Sequence, residues 1–214
     1  MTGNGKGCRL DAHFLFRYND STGLHDSRQA QNDLNWPFSV DRAGKWVASI
    51  MSNAQLSDIK RQVQISIPFG MLHDTYLDRF LSEKLNPEIA IEAAAFERFD
   101  RSDFIKIADE FHKRSLRITL HGPFMDLAAG SADEAVRTIT RRRLEQMLEL
   151  VPVFRPYSVV CHAGYDWRRY GYNPQRWYDR SLELWGWLAE GLKAAGSRLM
   201  LENVYEGEPE EMLP

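Results

Sequence analysis

The chain has 214 residues, 43% hydrophobic and 27% charged, with a formal net charge of −3. This is ordinary soluble globular composition with enough apolar residues for one good core, and it excludes membrane-spanning and collagen-like classes. No apolar run approaches the ~18 residues of a membrane span, and the overall charge asks for no polyanionic partner.

The polar start from Met1 to Gly7 lacks the apolar region of a signal peptide, so a cytoplasmic protein is expected. Residues 1–60 read as an irregular, loosely attached segment. They mix Gly, Asn, Asp, Ser and Gln with scattered aromatics, and no period of 2 or 3.6 persists. Ser39 to Ile50 is the one candidate for a short helix, and His13 and His25 lack metal-ligand spacing. Cys8 and Cys161 stand far apart with no C-x-x-C arrangement, which supports neither a thiol-rich zinc site nor a disulfide framework.

A regular pattern begins at Val63. Val63 to Ile67 alternates as a strand and stops at Pro68. Asp74 to Lys84 is predicted to be a helix with Leu77, Phe80 and Leu81 on one stripe. Glu88 to Glu92 is a second strand, with Ile89 and Ile91 on one face and Glu92 at its end. Ser102 to Arg114 is a second helix, on which His112 reads as a solvated residue among charged neighbours.

Arg117 to His121 is a third strand, ended by Gly122-Pro123, and the loop after it carries Asp126. Ser131 and Glu134 form a capping-box pattern for a helix to about Leu150, with Val136, Ile139, Leu144, Met147 and Leu148 as its apolar face. Arg141 to Arg143 fan out over most of a helical turn and read as the wet side of that helix. Tyr157 to His162 is a fourth strand, with Cys161 on its core face. The aromatic, basic loop Ala163 to Tyr172 follows, where Tyr165, Trp167, Tyr170 and Tyr172 are placed to cover a substrate. Asn173-Pro174 supplies an N-cap and an N1 proline for a helix whose Trp177, Leu184, Trp185, Leu188 and Leu192 face inward. Ser197 to Glu202 is the fifth strand.

Alternating strands and helices argue a parallel sheet with crossover helices. Glu92, His121, His162 and Glu202 then leave their strands on the same rim, where α/β proteins place binding and catalysis. Two regions follow, an irregular segment over 1–60 and a domain over 61–214. Its five strand units, against the eight of a ~250-residue barrel, leave three missing. Open edges on the first and fifth strands call either for cover by the first sixty residues or for a homodimer formed edge to edge.

The segments His121-Gly-Pro-Phe124, His162-Ala-Gly164 and Leu201-Glu-Asn203 resemble the xylose-isomerase-like TIM-barrel superfamily over about Val63 to Glu211. That group holds sugar-phosphate isomerases and epimerases and the type-four AP endonucleases. The resemblance implies an α/β fold, a (β/α) TIM barrel with parallel strands, incomplete at about five of eight units. It implies His121, His162 and Glu202 as metal ligands, with Glu202 also catalytic in proton transfer. Glu92, Phe124, Asp126, Tyr165, Trp167 and Glu206 are the substrate-binding candidates, Glu206 because it lies just beyond Glu202. Imidazole and carboxylate suit Zn²⁺ or Mn²⁺, with Mg²⁺ as a further candidate, and a half-set of ligands would hold the cation weakly. The function implied is a metal-dependent isomerase or epimerase moving a proton on a small carbohydrate, provided the missing strands are supplied. The alternatives are a zinc-dependent AP-endonuclease-like phosphodiesterase and a non-catalytic truncated barrel. Nucleic acid is not the expected partner, because the loops show no basic stripe beyond Arg168 and Arg169.

Overall fold

In the computed structural model of the chain, residues 57–206 are described in full. Outside them the backbone is described at His13–Leu15, Phe38–Val40, Trp46–Ala48 and over residues 53–56. The chain divides into two compact units, Tyr18–Val63 and a larger one made of Met1–Arg17 with Gln64–Pro214.

The larger unit holds one sheet of six parallel strands: β1 (His13–Leu15), β4 (Ile65–Pro68), β5 (Pro87–Ala90), β6 (Thr119–His121), β7 (Val159–His162) and β8 (Leu199–Glu202). They lie in the order β1-β8-β7-β6-β5-β4. Five of them are the strands that alternation points to, each shorter than its apolar run. The sixth, β1, comes from the stretch read as irregular and lies on the outer side of β8, with Leu15 opposite Glu202. The edge of β8, one of the two through which a homodimer was expected, is therefore covered from within the chain.

In the smaller unit, β2 (Phe38–Val40) pairs antiparallel with β3 (Trp46–Ala48), and α1 spans Asn53–Gln62. This strand pair replaces the short helix expected over Ser39 to Ile50. Val40, Trp46 and Val47 are β-branched or aromatic, and such residues favour a pleated surface over a helix.

Register in the large sheet puts Ile67, Ile89, Leu120, Val159 and Leu199 in one row across the strands. All five are buried, none more than 6% exposed. Each fully buried side chain of this kind stabilises the fold by about 1.5–3 kcal/mol. The row packs in one core with the apolar stripes of the crossover helices. Those helices are α2 (Phe69–Met71), which runs through a π-helical turn at Leu72–Tyr76 into α3 (Leu77–Ser82), then α4 (Ala93–Arg98), α5 (Arg101–Lys113), α6 (Glu134–Phe154) and α8 (Pro174–Ala194), while the short α7 (Trp167–Tyr170) has no buried residue.

The first helical stretch begins directly at Phe69 rather than at Asp74. Phe69 is fully buried, and its ring lies 4.4 Å from Phe104, 4.9 Å from Phe99 and 6.3 Å from Phe154. Aromatic packing at such distances is favourable enough to recruit the residues after Pro68 into the helix. The five inward residues expected of α8 are all buried, behind the Asn173 cap, whose Oδ1 accepts from the Arg176 amide at 3.2 Å. In α6 the cap moves to Asp133, whose Oδ1 accepts from Ala135 N, while Ser131 Oγ accepts from Asp133 N. The Ser131/Glu134 capping box does not form. The buried stripe turns with it, taking in Thr140, Leu150, Val151 and Phe154 and leaving Ile139 38% exposed. Among the described residues no helix is long and apolar enough to cross a membrane.

Candidate metal centre

Parallel strands send alternate side chains to opposite faces, so the face turned away from the helix-packed row carries Ala90, His121, Val160 and Met200, then His162 and Glu202 further along β7 and β8. His121 sits two residues lower in register than His162 and Glu202, yet their ligand atoms all lie within 4.8 Å of one another. His121 Nε2 is 3.4 Å from Glu202 Oε2, and His162 Nε2 is 3.9 Å from the same oxygen. His121 and Glu202 are buried; His162 is half-buried at the mouth.

These three residues form a candidate cation site. His121 Nδ1 lies 2.9 Å from the carbonyl oxygen of Gly122, which only accepts, so Nδ1 carries the proton. In the neutral ring the lone pair is then on Nε2, facing a carboxylate oxygen. Two acceptors that converge at 3.4 Å repel unless a proton or a cation lies between them. Two imidazole nitrogens and a carboxylate suit Zn²⁺ or Mn²⁺, and the Gly122 carbonyl orients the ligand as outer partners do in such sites. Phe124 closes one side, its ring 4.3 Å from that of His162 and 5.4 Å from that of His121. Gly122 is required there, since a Cβ on it would meet Cys161 Sγ at 2.9 Å.

A cavity of about 470 Å³ opens against His162 and Phe124, between the loops after β6 and β7. Leu127, Leu144 and Trp185 form its apolar wall, and Asp126, Asp166 and Arg169 its polar one. Asp166 caps α7 through the Arg168 amide and pairs with the Arg168 side chain, which holds its carboxyl below the usual value.

The other candidate residues are distributed differently. Asp126 and Phe124 line the cavity. Trp167 stands 62% exposed at the start of α7. Glu92 is an exposed N-cap residue of α4 and is not in the cluster. Tyr165 is buried, stacked on Tyr178 at 5.8 Å and against Trp177 at 5.0 Å, so it packs onto α8. Glu206 is buried, with Oε1 accepting from Tyr165 N at 2.7 Å and Oε2 from Val204 N at 2.8 Å and Tyr205 N at 3.0 Å. Sequence reasoning passed over Glu88, buried on the same face of the sheet as His121, and Tyr205 beside the cavity. The alternation that marks His121 also marks Glu88; nothing local marks Tyr205.

A family description, xylose isomerase-like TIM barrel, matches residues 87–212, more than half of the chain. The chain belongs to this family. No curated protein matches it. Among solved structures it is similar to the TTHB071 protein of Thermus thermophilus, from a crystal soaked with ZnCl2, at 27% identity and a TM-score of 0.59, covering 71% of this chain and 59% of that one. It shares its fold with a D-tagatose 3-epimerase-like protein (17% identity, TM-score 0.54, 66% of this chain and 53% of that one). The same holds for D-psicose 3-epimerase from Clostridium cellulolyticum, in a structure with D-tagatose (14%, 0.51, 65% and 52%). This xylose isomerase-like chain thus spans between half and three fifths of the length of these three proteins.

Proposed function

We propose that this chain carries the metal-binding part of a sugar isomerase or epimerase, with His121, His162 and Glu202 holding a divalent cation, Zn²⁺ or Mn²⁺, beside a carbohydrate pocket. The observation that supports it most is the convergence of the three ligand atoms within 4.8 Å at neighbouring strand ends, with the His121 tautomer set by Gly122. The ZnCl2-soaked Thermus protein and the ketose epimerases named above are in keeping with this reading. A divalent cation bound there would polarise a carbonyl or hydroxyl pair of a sugar and ease removal of the proton on the neighbouring carbon. In this reading Glu202, buried and 3.4 Å and 3.9 Å from the two imidazoles, would take and return that proton. Phe124 keeps water from one side of the site, and Asp126 offers acceptor oxygens to sugar hydroxyls in the adjoining cavity.

The test is calorimetric titration of Zn²⁺ and Mn²⁺ into wild type, Glu202→Gln and His162→Ala. Both variants should lose more affinity than the ~10–100-fold that removal of an outer hydrogen-bond partner costs. Equal binding in all three proteins would mean that these strand ends are not ligands. Metal-loaded wild type incubated with a ketohexose in D2O and followed by NMR should show little or no turnover, because moving a proton between the carbons or faces of a sugar needs a second base besides Glu202. Robust turnover would refute the reading that this chain carries only the metal-binding part of the enzyme.

A further inference from the structure

Glu206 was a candidate for contact with substrate, but its carboxylate is already committed. It is 3% exposed, and its two oxygens accept three backbone amides. Two of those amides, Val204 and Tyr205, belong to the turn that leaves β8, and Asn203 Nδ2 closes the same turn by donating to Glu206 O at 3.2 Å. The third, Tyr165, belongs to the loop that leaves β7. The two strands are joined immediately before this point by Ala163 N donating to Glu202 O at 2.9 Å. The Tyr165 amide bond to Glu206 is the next tie beyond it, reached through Gly164 in the left-handed region at φ +78°. His162 and Glu202 are the last residues of β7 and β8, so the segments leaving both ligands are fastened at Glu206.

We propose that Glu206 is a positioning residue that holds the chain segments of His162 and Glu202 in ligating register, and that it makes no contact with substrate. This rests on the metal reading of the cluster. A carboxylate suits the position because it only accepts, whereas a glutamine would turn an amino group toward at least one amide N–H. Freed of that tie, the loops after β7 and β8 could separate, and ligands on strand ends bind well only while their supports hold them.

The experiment compares full-length wild type, Glu206→Gln, Glu206→Asp and, as a remote destabilised control, His112→Ala. Each is titrated with ZnCl2 by calorimetry and loaded with Co²⁺ to record the visible absorption bands, whose intensity follows ligand geometry. Glu206→Gln is expected to bind zinc about 10–100-fold more weakly, with altered cobalt bands. Glu206→Asp should fall between it and wild type, and His112→Ala should lose stability with zinc affinity and cobalt bands unchanged. Wild-type affinity and bands in Glu206→Gln would overturn the inference. Should that variant not fold, Glu206→Asp decides alone: weaker zinc with altered bands supports the positioning role, and wild-type values overturn it. Failure of wild type itself to bind zinc would instead overturn the metal reading.

Discussion

Cys161 and His162 are adjacent in β7, and the pleat separates their chemistry. His162 turns to the candidate centre, while Cys161 turns to the core at 2% exposure, where burial pushes its thiol up to about 12. The Gly122 backbone hydrogen bond pulls the other way but does not offset the loss of hydration. Because the thiolate is the reactive form, a thiol with its pKa so far above neutrality is inert at pH 8. In a Cys8→Ser background, iodoacetamide at pH 8 should leave the native protein unmodified and add one group in urea. Rapid labelling of the native protein, followed by mass spectrometry, would show that this face of β7 is open. The same alternation made His121, His162 and Glu202 legible as strand-end residues facing one way. It could not show that Tyr165 packs on α8 or that Glu206 is consumed by amides, because both depend on how loops curl after their strands end.

Helix boundaries show the limits of local rules. Asn173-Pro174 acts as read, since the cap and the proline lie within one turn and need no outside partner. The end of α6 depends on another helix. His112 on α5 was read as solvated, yet its Nε2 donates to Phe154 O at 2.9 Å and its Nδ1 accepts from Arg155 Nη2 at 2.8 Å. Phe154 O belongs to the last turn of α6, where carbonyls lack helical partners, and Arg155 follows in the left-handed conformation at φ +44°. Nothing in the run around His112 announces this, because the partner lies 42 residues away. Replacing His112 by Ala should cost about 1 kcal/mol in urea denaturation, the worth of a typical hydrogen bond. Asp133→Ala should cost about as much at the other end of α6 through loss of its cap. An unchanged midpoint in either variant would show that water replaces the bond without loss.

The sheet as a whole is organised around β8, which carries Glu202 and has β7 on one side and β1 on the other. Five of the six strands were legible because each has an apolar face and a breaker behind it. Three residues, His13–Leu15, are too few to show a period, and their pairing joins distant parts of the sequence. Its consequence is large for the candidate site, since Leu15 stands opposite Glu202 and keeps the ligand-bearing strand off the sheet edge. A strand at an edge presents unpaired N–H and C=O groups that recruit other chains. Replacing both His13 and Phe14 by proline tests this in the full chain. Among the described residues β1 has a partner on one side alone, and neighbouring residues of a strand turn their N–H groups to opposite sides, so one of the two prolines must remove an N–H that faces β8. The variant should melt at lower temperature than wild type, bind zinc more weakly, and sediment faster at high than at low concentration as exposed β8 edges meet. If variant and wild type sediment alike at both concentrations and melt together, β1 does not protect β8, and Glu202 must owe its placement to β7 and Glu206 alone.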